Sequence, residues 1–144
     1  MFETLTTYLN KIASLNDTTA WFQVIDREAQ FEIIRLNTID QLFDEGERSD
    51  GTFLPNYSRR SVEEFGKPEG HIKLKDTGRF YQSFRVKADK YGFFIAADDE
   101  SVYDEPLTEV YGENILGLTD ENMRVLINLL KRKYFEYINE RLSY

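Results

Sequence analysis

An α+β domain is the fold class this sequence predicts, and three stretches predict it. Apolar residues recur at helical spacing across the first third. Two short alternating segments flank a turn near 88–92, and a 3.6-residue period fills 119–142. Together they give two N-terminal helices, a small antiparallel sheet at about 83–97, and a long C-terminal helix.

Residues 2–15 place Phe2, Leu5, Tyr8 or Leu9, Ile12 and Leu15 at helical spacing, which predicts a short amphipathic helix. Asn16-Asp17-Thr18-Thr19 breaks it and offers a fresh N-cap. A second helix then runs from Ala20 to about Glu45. One stripe on it is Phe22, Ile25, Ala29, Ile33, Leu36, Ile39 and Phe43; another is Val24, Phe31, Ile34, Thr38 and Leu42. Two apolar faces imply two neighbours. The chain's own first helix is expected as the second of them, ahead of another subunit.

Gly46 closes that helix and opens a long loop, 47–70. Phe53 stands close before Pro55, which favours extended backbone. Ser61 to Phe65 predicts one helical turn, capped by Ser61 and with Glu63 and Glu64 at its positive end. With Phe53, Leu54 and Tyr57 on it, the loop is expected to be an arm onto a neighbour. The chain then meets Asp76-Thr77-Gly78, a tight turn in which the acid or hydroxyl caps and glycine permits the backbone angles. A helical turn at 79–83 leads to a strand at 83–88, and residues 88–92 turn it into a partner strand at 93–97. Phe93, Ile95 and Ala97 share one face. Phe80, Phe84 and Val86 are expected to plug this hairpin onto the C-terminal helix.

Asp98, Asp99, Glu100, Asp104, Glu105, Glu109 and Glu113 make the next stretch acidic, with Pro106 inside it, so a solvated loop is expected. The last element is the clearest. Thr119 caps it, Asp120 and Glu121 fill its first turn, and Met123, Leu126, Ile127, Leu130, Tyr134, Ile138 and Leu142 mark one face. Lys131, Arg132 and Lys133 suit its negative end. The organisation is a single domain over 1–144: a helical part to 46, the arm at 47–70, a sheet region at 71–118, and the final helix from 119.

Composition narrows the function. At 144 residues, 41% apolar and 15% aromatic, the chain is long enough for one real core. It has no cysteine, which excludes disulfides and thiolate metal sites and fits a reducing cytoplasm. Nothing approaches a membrane span, and MFETLTTYLN lacks a signal-peptide pattern. A formal charge of −8 argues against gripping nucleic acid over the whole surface.

Asp76-Thr77-Gly78 also matches the catalytic tripeptide of a dimeric retroviral-type aspartic protease, whose two aspartates share a proton. Ile115-Leu116-Gly117 superficially matches the segment that packs under that loop. Lys75 and Arg79 flank the tripeptide, however, and cations there disfavour a shared proton. Only about 40 residues separate the motifs, too few for the flap and its strands. His71, the single histidine, has no metal-binding or triad context and reads as a strand-edge residue. No catalytic residue, metal or cofactor is expected. A basic patch of Lys73, Lys75, Arg79, Arg85 and Lys87 borders the hairpin, with Arg59 and Arg60 beyond it. Arg85 and Lys87 share the outward strand face, and an electrostatic seam against the acidic 98–113 stretch of a neighbour (Asp98, Asp99, Glu100) would build head-to-tail contacts.

Three groups of residues, in order, carry a family resemblance. They are Leu36-Asn37-Thr38 with Gln41-Leu42 and Asp50-Gly51 to Tyr57-Ser58; Leu74 with Asp76-Thr77-Gly78-Arg79-Phe80-Tyr81 and Phe84; and Tyr111-Gly112, Ile115-Leu116-Gly117-Leu118-Thr119 with the final helix. Over about 31–142 the chain resembles tailed-phage virion morphogenesis proteins of the neck, head-tail connector or tail-completion type, in the form met in phages of Bacteroidetes-like hosts. The resemblance implies a non-enzymatic subunit of a homo-oligomeric ring between portal and tail. Its implied partners are other neck, portal-adaptor and tail proteins, with genomic DNA passing without sequence-specific binding and no membrane. Its implied place is the virion neck, after assembly in the host cytoplasm. Asp76, Thr77, Gly78, Phe80, Phe84, Gly112, Gly117 and Thr119 are then fold-makers rather than catalysts. A soluble adaptor that binds its partner as a monomer or dimer is the remaining alternative.

Overall fold

A computed structural model of the chain describes residues 23–75, 77–89, 92–99 and 105–142. The expected helix at 2–15, the break at 16–19, and Phe22, Asp76 and Glu100 lie outside them. The fold is α+β, with helices around a two-stranded antiparallel sheet and a long helix at the C-terminal end.

The helix expected from Ala20 is interrupted before it becomes regular. Asp26 stands in extended backbone and its carboxylate accepts the Ala29 N–H at 3.0 Å, so α1 (Arg27–Arg35) starts afresh there. From Leu36 to Glu45 the same rod continues as a π-helix, π1, whose hydrogen bonds reach one residue further back. The wider turn changes which side chains look inward. Leu36, Asn37, Thr38, Gln41 and Leu42 are buried, whereas Ile39 is 51% exposed and Phe43 only half-buried. Phe31 is not on a second apolar face either. It sits two residues from each of the buried Ala29 and Ile33, about half a turn round α1, and is 71% exposed.

Gly46 ends π1 with φ of 66°, the left-handed region. A Cβ there would stand 2.4 Å from the His71 ring, so glycine answers both the angle and the close approach. Beyond it the chain stays against the body as far as Asn56. Isolated bridges pair Glu47 with Phe53 and Asn56 with His71. The next helix, α2 (Arg59–Phe65), is capped by Ser58 rather than Ser61: Ser58 is the extended residue, and its Oγ accepts the Ser61 N–H at 3.1 Å. Glu63 and Glu64 therefore fall one turn along, where they bind Arg59 and Arg60 at 2.8 and 2.9 Å.

After Gly78 (φ 80°) a single turn, α3 (Arg79–Gln82), leads into β1 (Arg85–Asp89), which pairs with β2 (Gly92–Ala96). Val86 faces Ile95 and Ala88 faces Phe93 on the inner side. The acidic stretch is not all loop. Pro106 precedes a helix, α4 (Leu107–Tyr111), rather than interrupting one, and a 3₁₀ turn follows at Glu113–Ile115. The final helix, α5 (Asp120–Leu142), begins where Thr119 Oγ1 accepts the Asn122 N–H at 3.2 Å.

Two apolar clusters and a small third of Val24 with Tyr137 form the core. Leu42, Leu54, Leu74, Phe80, Phe84 and Ile115 make the first, with Phe80 and Phe84 edge-to-face at 5.0 Å. Ile25, Ile33, Leu36, Leu118 and Leu126 make the second, joined by Val86, Phe93 and Met123. The three aromatic and aliphatic anchors of the 80–86 stretch thus divide. Only Val86 reaches the layer shared with α5, because α3 turns Phe80 and Phe84 to the other side; Ile95 touches both clusters.

Candidate interaction surface

The strongest polar feature is buried. Asn37 Nδ2 donates to Ile115 O at 3.0 Å, and its Oδ1 accepts the Gly117 N–H at 2.8 Å. One turn on, Gln41 Nε2 donates to Gly117 O at 2.7 Å and its Oε1 accepts the Thr119 N–H at 2.9 Å. Residues 115–119 thereby receive from π1 the pairing that a neighbouring strand would otherwise give them. The segment is the one that seats α5, so its Gly117 and Thr119 are fold-makers held from outside. Gly117 also passes close to the 47–54 loop, where a Cβ would meet Ser49 at 3.1 Å.

A second clamp is ionic. Lys133 on α5 is buried and its Nζ contacts Asp26 at 2.8 Å and Glu28 at 3.0 Å, with Arg132 adding a longer bond to Glu28. Burial opposes the charge on Lys133, but the two carboxylate bonds outweigh it and raise its pKa. Burial likewise opposes the Asp26 charge, and the bonds from Lys133 and the Ala29 N–H outweigh it, lowering the Asp26 pKa. This pull turns α5. Its buried residues are Leu126, Lys133 and Tyr137, while Ile127 and Tyr134, expected on the packed face, are 40% and 37% exposed.

An apolar groove of about 490 Å³ lies between β2, residues 116–118 and α5, lined by Phe93, Phe94, Ile95, Met123, Ile127 and Leu130 among others. Among the described residues β2 pairs with β1 alone. Phe94, 51% exposed, stands at the groove mouth opposite Lys87 in the strand register. Arg124 and Lys131 lie one turn either side of Ile127, on the same exposed shoulder.

The expected contact residues are dispersed. Phe53 is exposed, but Leu54 is buried in the first cluster and Tyr57 is half-buried, its hydroxyl accepting the Lys73 N–H at 2.9 Å. Bonds from Leu54 N to Gly46 O and from Ile72 N to Pro55 O lace both ends of the 47–70 stretch to the body, while α2 between them buries no residue. Arg59 and Arg60 are exposed and paired within α2. Arg85 pairs with Asp98 of its own chain at 3.1 Å, because the hairpin register brings their strand ends together; this half of the expected seam is internal. The Asp99 carboxylate accepts the Thr108 N–H and hydroxyl and so caps α4. Lys87 remains exposed without an ion-pair partner among the described residues.

The turn residues sit as glycine chemistry requires. Thr77 Oγ1 accepts the Arg79 N–H at 3.3 Å. A Cβ on Gly112 (φ 98°) would strike the Asn114 amide. His71 is half-buried at its bridge: Nδ1 lies 2.9 Å from Ile72 O, and Nε2 lies 3.1 Å from both Asp44 O and Lys73 Nζ. Lys73 also donates to Phe43 O, and with Lys75 it covers the Phe43 ring. The Tyr81 hydroxyl donates to Lys73 O, and burial raises its pKa. Among the described residues no group of three His, Asp or Glu side chains is placed to hold a metal ion. The roles of two features escaped the reading of the sequence. Asn37 and Gln41 carried a usable signal, amides four apart inside an apolar stripe; Lys133 carried none, standing in a run of cations.

Compared with known protein families, curated proteins and solved structures, the chain matches none of them.

Proposed function

We propose that this chain is a structural subunit of a phage head-to-tail neck ring, assembled by protein–protein contacts around the DNA channel. The observation that carries the reading is the placement of apolar anchors on opposite flanks. The α1–π1 rod and α5 pack buried face to buried face through Ile33, Leu36 and Leu126. Phe31 lies half a turn from the buried face of α1, and Phe135 lies half a turn from Lys133 and Tyr137 on α5. The two rings are 71% and 64% exposed and point away from each other. A head-to-tail subunit needs two different patches on two sides, with aromatic anchors at their centres. The family resemblance over 31–142 supports the same reading. So does the net charge of −8, since a negative lumen lets DNA slide without sticking.

Purified tailed particles from the genome that encodes this chain test the proposal. The chain is expected in mature particles, with gold-labelled antibody marking the junction of head and tail. Particles that lack it, or label spread along capsid or fibres, would overturn the reading.

A further inference from the structure

The small third cluster is better sheltered than its named members explain. Val24 is 3% exposed and Tyr137 8%, and among the described residues the apolar side chains packed on this pair are Leu130 and Ile138. Tyr134 stacks beside the Tyr137 ring at 6.4 Å between centroids, and the Arg141 guanidinium lies 4.9 Å from that centroid. All four stand on α5 itself, and helix neighbours lie alongside a side chain rather than over its tip. The tip of Tyr137 is nevertheless buried: its hydroxyl is out of water and has no hydrogen-bond partner among the described residues. A polar group so placed calls for a large neighbour that also carries a donor or acceptor.

The chain that leads into Val24 holds one. Gln23 and Val24 are helical, and the backbone bends at Ile25 before the Asp26 cap. Residues three and four apart share a helix face, so Ala20 and Trp21 precede Val24 on the side that meets Tyr137. Asp26 contacts Lys133 and Val24 contacts Tyr137, an order that carries the preceding residues toward the end of α5. Alanine is too small to cover a tyrosine tip. Indole is the largest side chain, and its N–H seeks an acceptor when buried.

We infer that Trp21 is seated on Tyr137, closing the third cluster, with its N–H turned to the Tyr137 hydroxyl oxygen. The occupant belongs to the same chain, because Val24 already stands in the cluster and tethers the indole at high effective concentration. The seat fastens the N-terminal segment to the C-terminal half of α5 and withdraws that part of the helix from contact with a neighbour. It holds whether or not the chain forms a ring.

Trp21 is the single tryptophan, so its fluorescence reports this seat alone. Acrylamide is expected to quench it several-fold less in the folded chain than in urea. Tyr137→Ser should bring quenching up toward the level in urea, whereas Phe135→Ser, on the exposed side of the same helix, should not. Tyr137→Phe keeps the ring and removes the acceptor. It should leave quenching weak but speed hydrogen exchange at the indole N–H several-fold, a readout that stands even if Tyr137→Ser does not fold. Native quenching as strong as in urea would overturn the inference. So would an indole N–H whose exchange ignores Tyr137→Phe, or quenching that ignores Tyr137→Ser in a folded chain. Quenching that strengthens on dilution would place the indole on a second copy and overturn the seat within the chain.

Discussion

At one end of the α1–π1 rod the neutral amides of Asn37 and Gln41 hold residues 115–119; at the other, the carboxylates of Asp26 and Glu28 hold Lys133. Both clamps fasten the rod to chain lying far away in sequence, and their surroundings differ as their chemistry demands. The amides are fully buried, because a neutral group bonded through both its oxygen and its nitrogen loses less on leaving water than a charge does. The ionic clamp keeps its acids wet, with the Asp26 and Glu28 side chains 46% and 65% exposed against 8% for Lys133. A charge is sheltered here only on the side where its partners converge. The amide clamp is therefore expected to carry stability, and the ionic clamp to set the rotation of α5.

The largest effect should come from the amides. Asn37→Ala and Gln41→Ala each leave buried backbone groups of 115–119 without partners, and each should cost about 2–4 kcal/mol in denaturant unfolding. The double variant should cost less than the sum, since both release the same segment. Single losses below about 0.5 kcal/mol would mean that the segment is held by its apolar contacts alone.

Next comes the end of π1. Gly46→Ala meets both a left-handed angle and the His71 ring, and is expected to cost about 2–4 kcal/mol. Gly66→Ala has nearly the same angle, φ of 67°, with no atom within 4 Å, and should cost only about 1 kcal/mol. Placing both in a His71→Ala background should bring the two costs together. If they stay apart, the close approach of His71 is not the cause.

Smallest is the ionic clamp. Lys133→Met keeps the buried stem and leaves two acids that water still reaches, so the loss should be about 1 kcal/mol. Its pH dependence has a definite sign. The lowered Asp26 pKa adds stability above the ordinary value of 3.8, lost as pH falls through its folded value. The raised Lys133 pKa adds stability below 10.5, lost as pH rises through its folded value. The thermal midpoints of wild type and Lys133→Met should therefore differ most between these limits and converge outside them. The loss in the Asn37→Ala variant should stay constant across the same range. A difference for Lys133→Met that ignores pH would assign its effect to packing.

Both clamps also show why parts of the fold were readable and others not. The Thr119 cap, the period of α5, the alternation in β1 and β2 and the stop at Gly46 depend on residues a few positions apart, and each was plain in the sequence. The π1 register was not. An ordinary α-helix would have turned Ile39 inward; the wider turn instead aims Asn37 and Gln41 at residues some 80 positions away. Leu54 looked like part of an arm because its partners, Leu42 and Ile115, come from other parts of the chain.

By itself, the sequence determined the ends that local signals set, at Gly46, at the hairpin turn and at Thr119, since caps, glycines and periodicity act over one or two turns of backbone. Tertiary structure decided which faces π1 and α5 bury. A helix can be rotated at little local cost, and the side chains that choose the rotation, Lys133 with Asp26 and Gln41 with Thr119, meet only after the chain has folded back on itself.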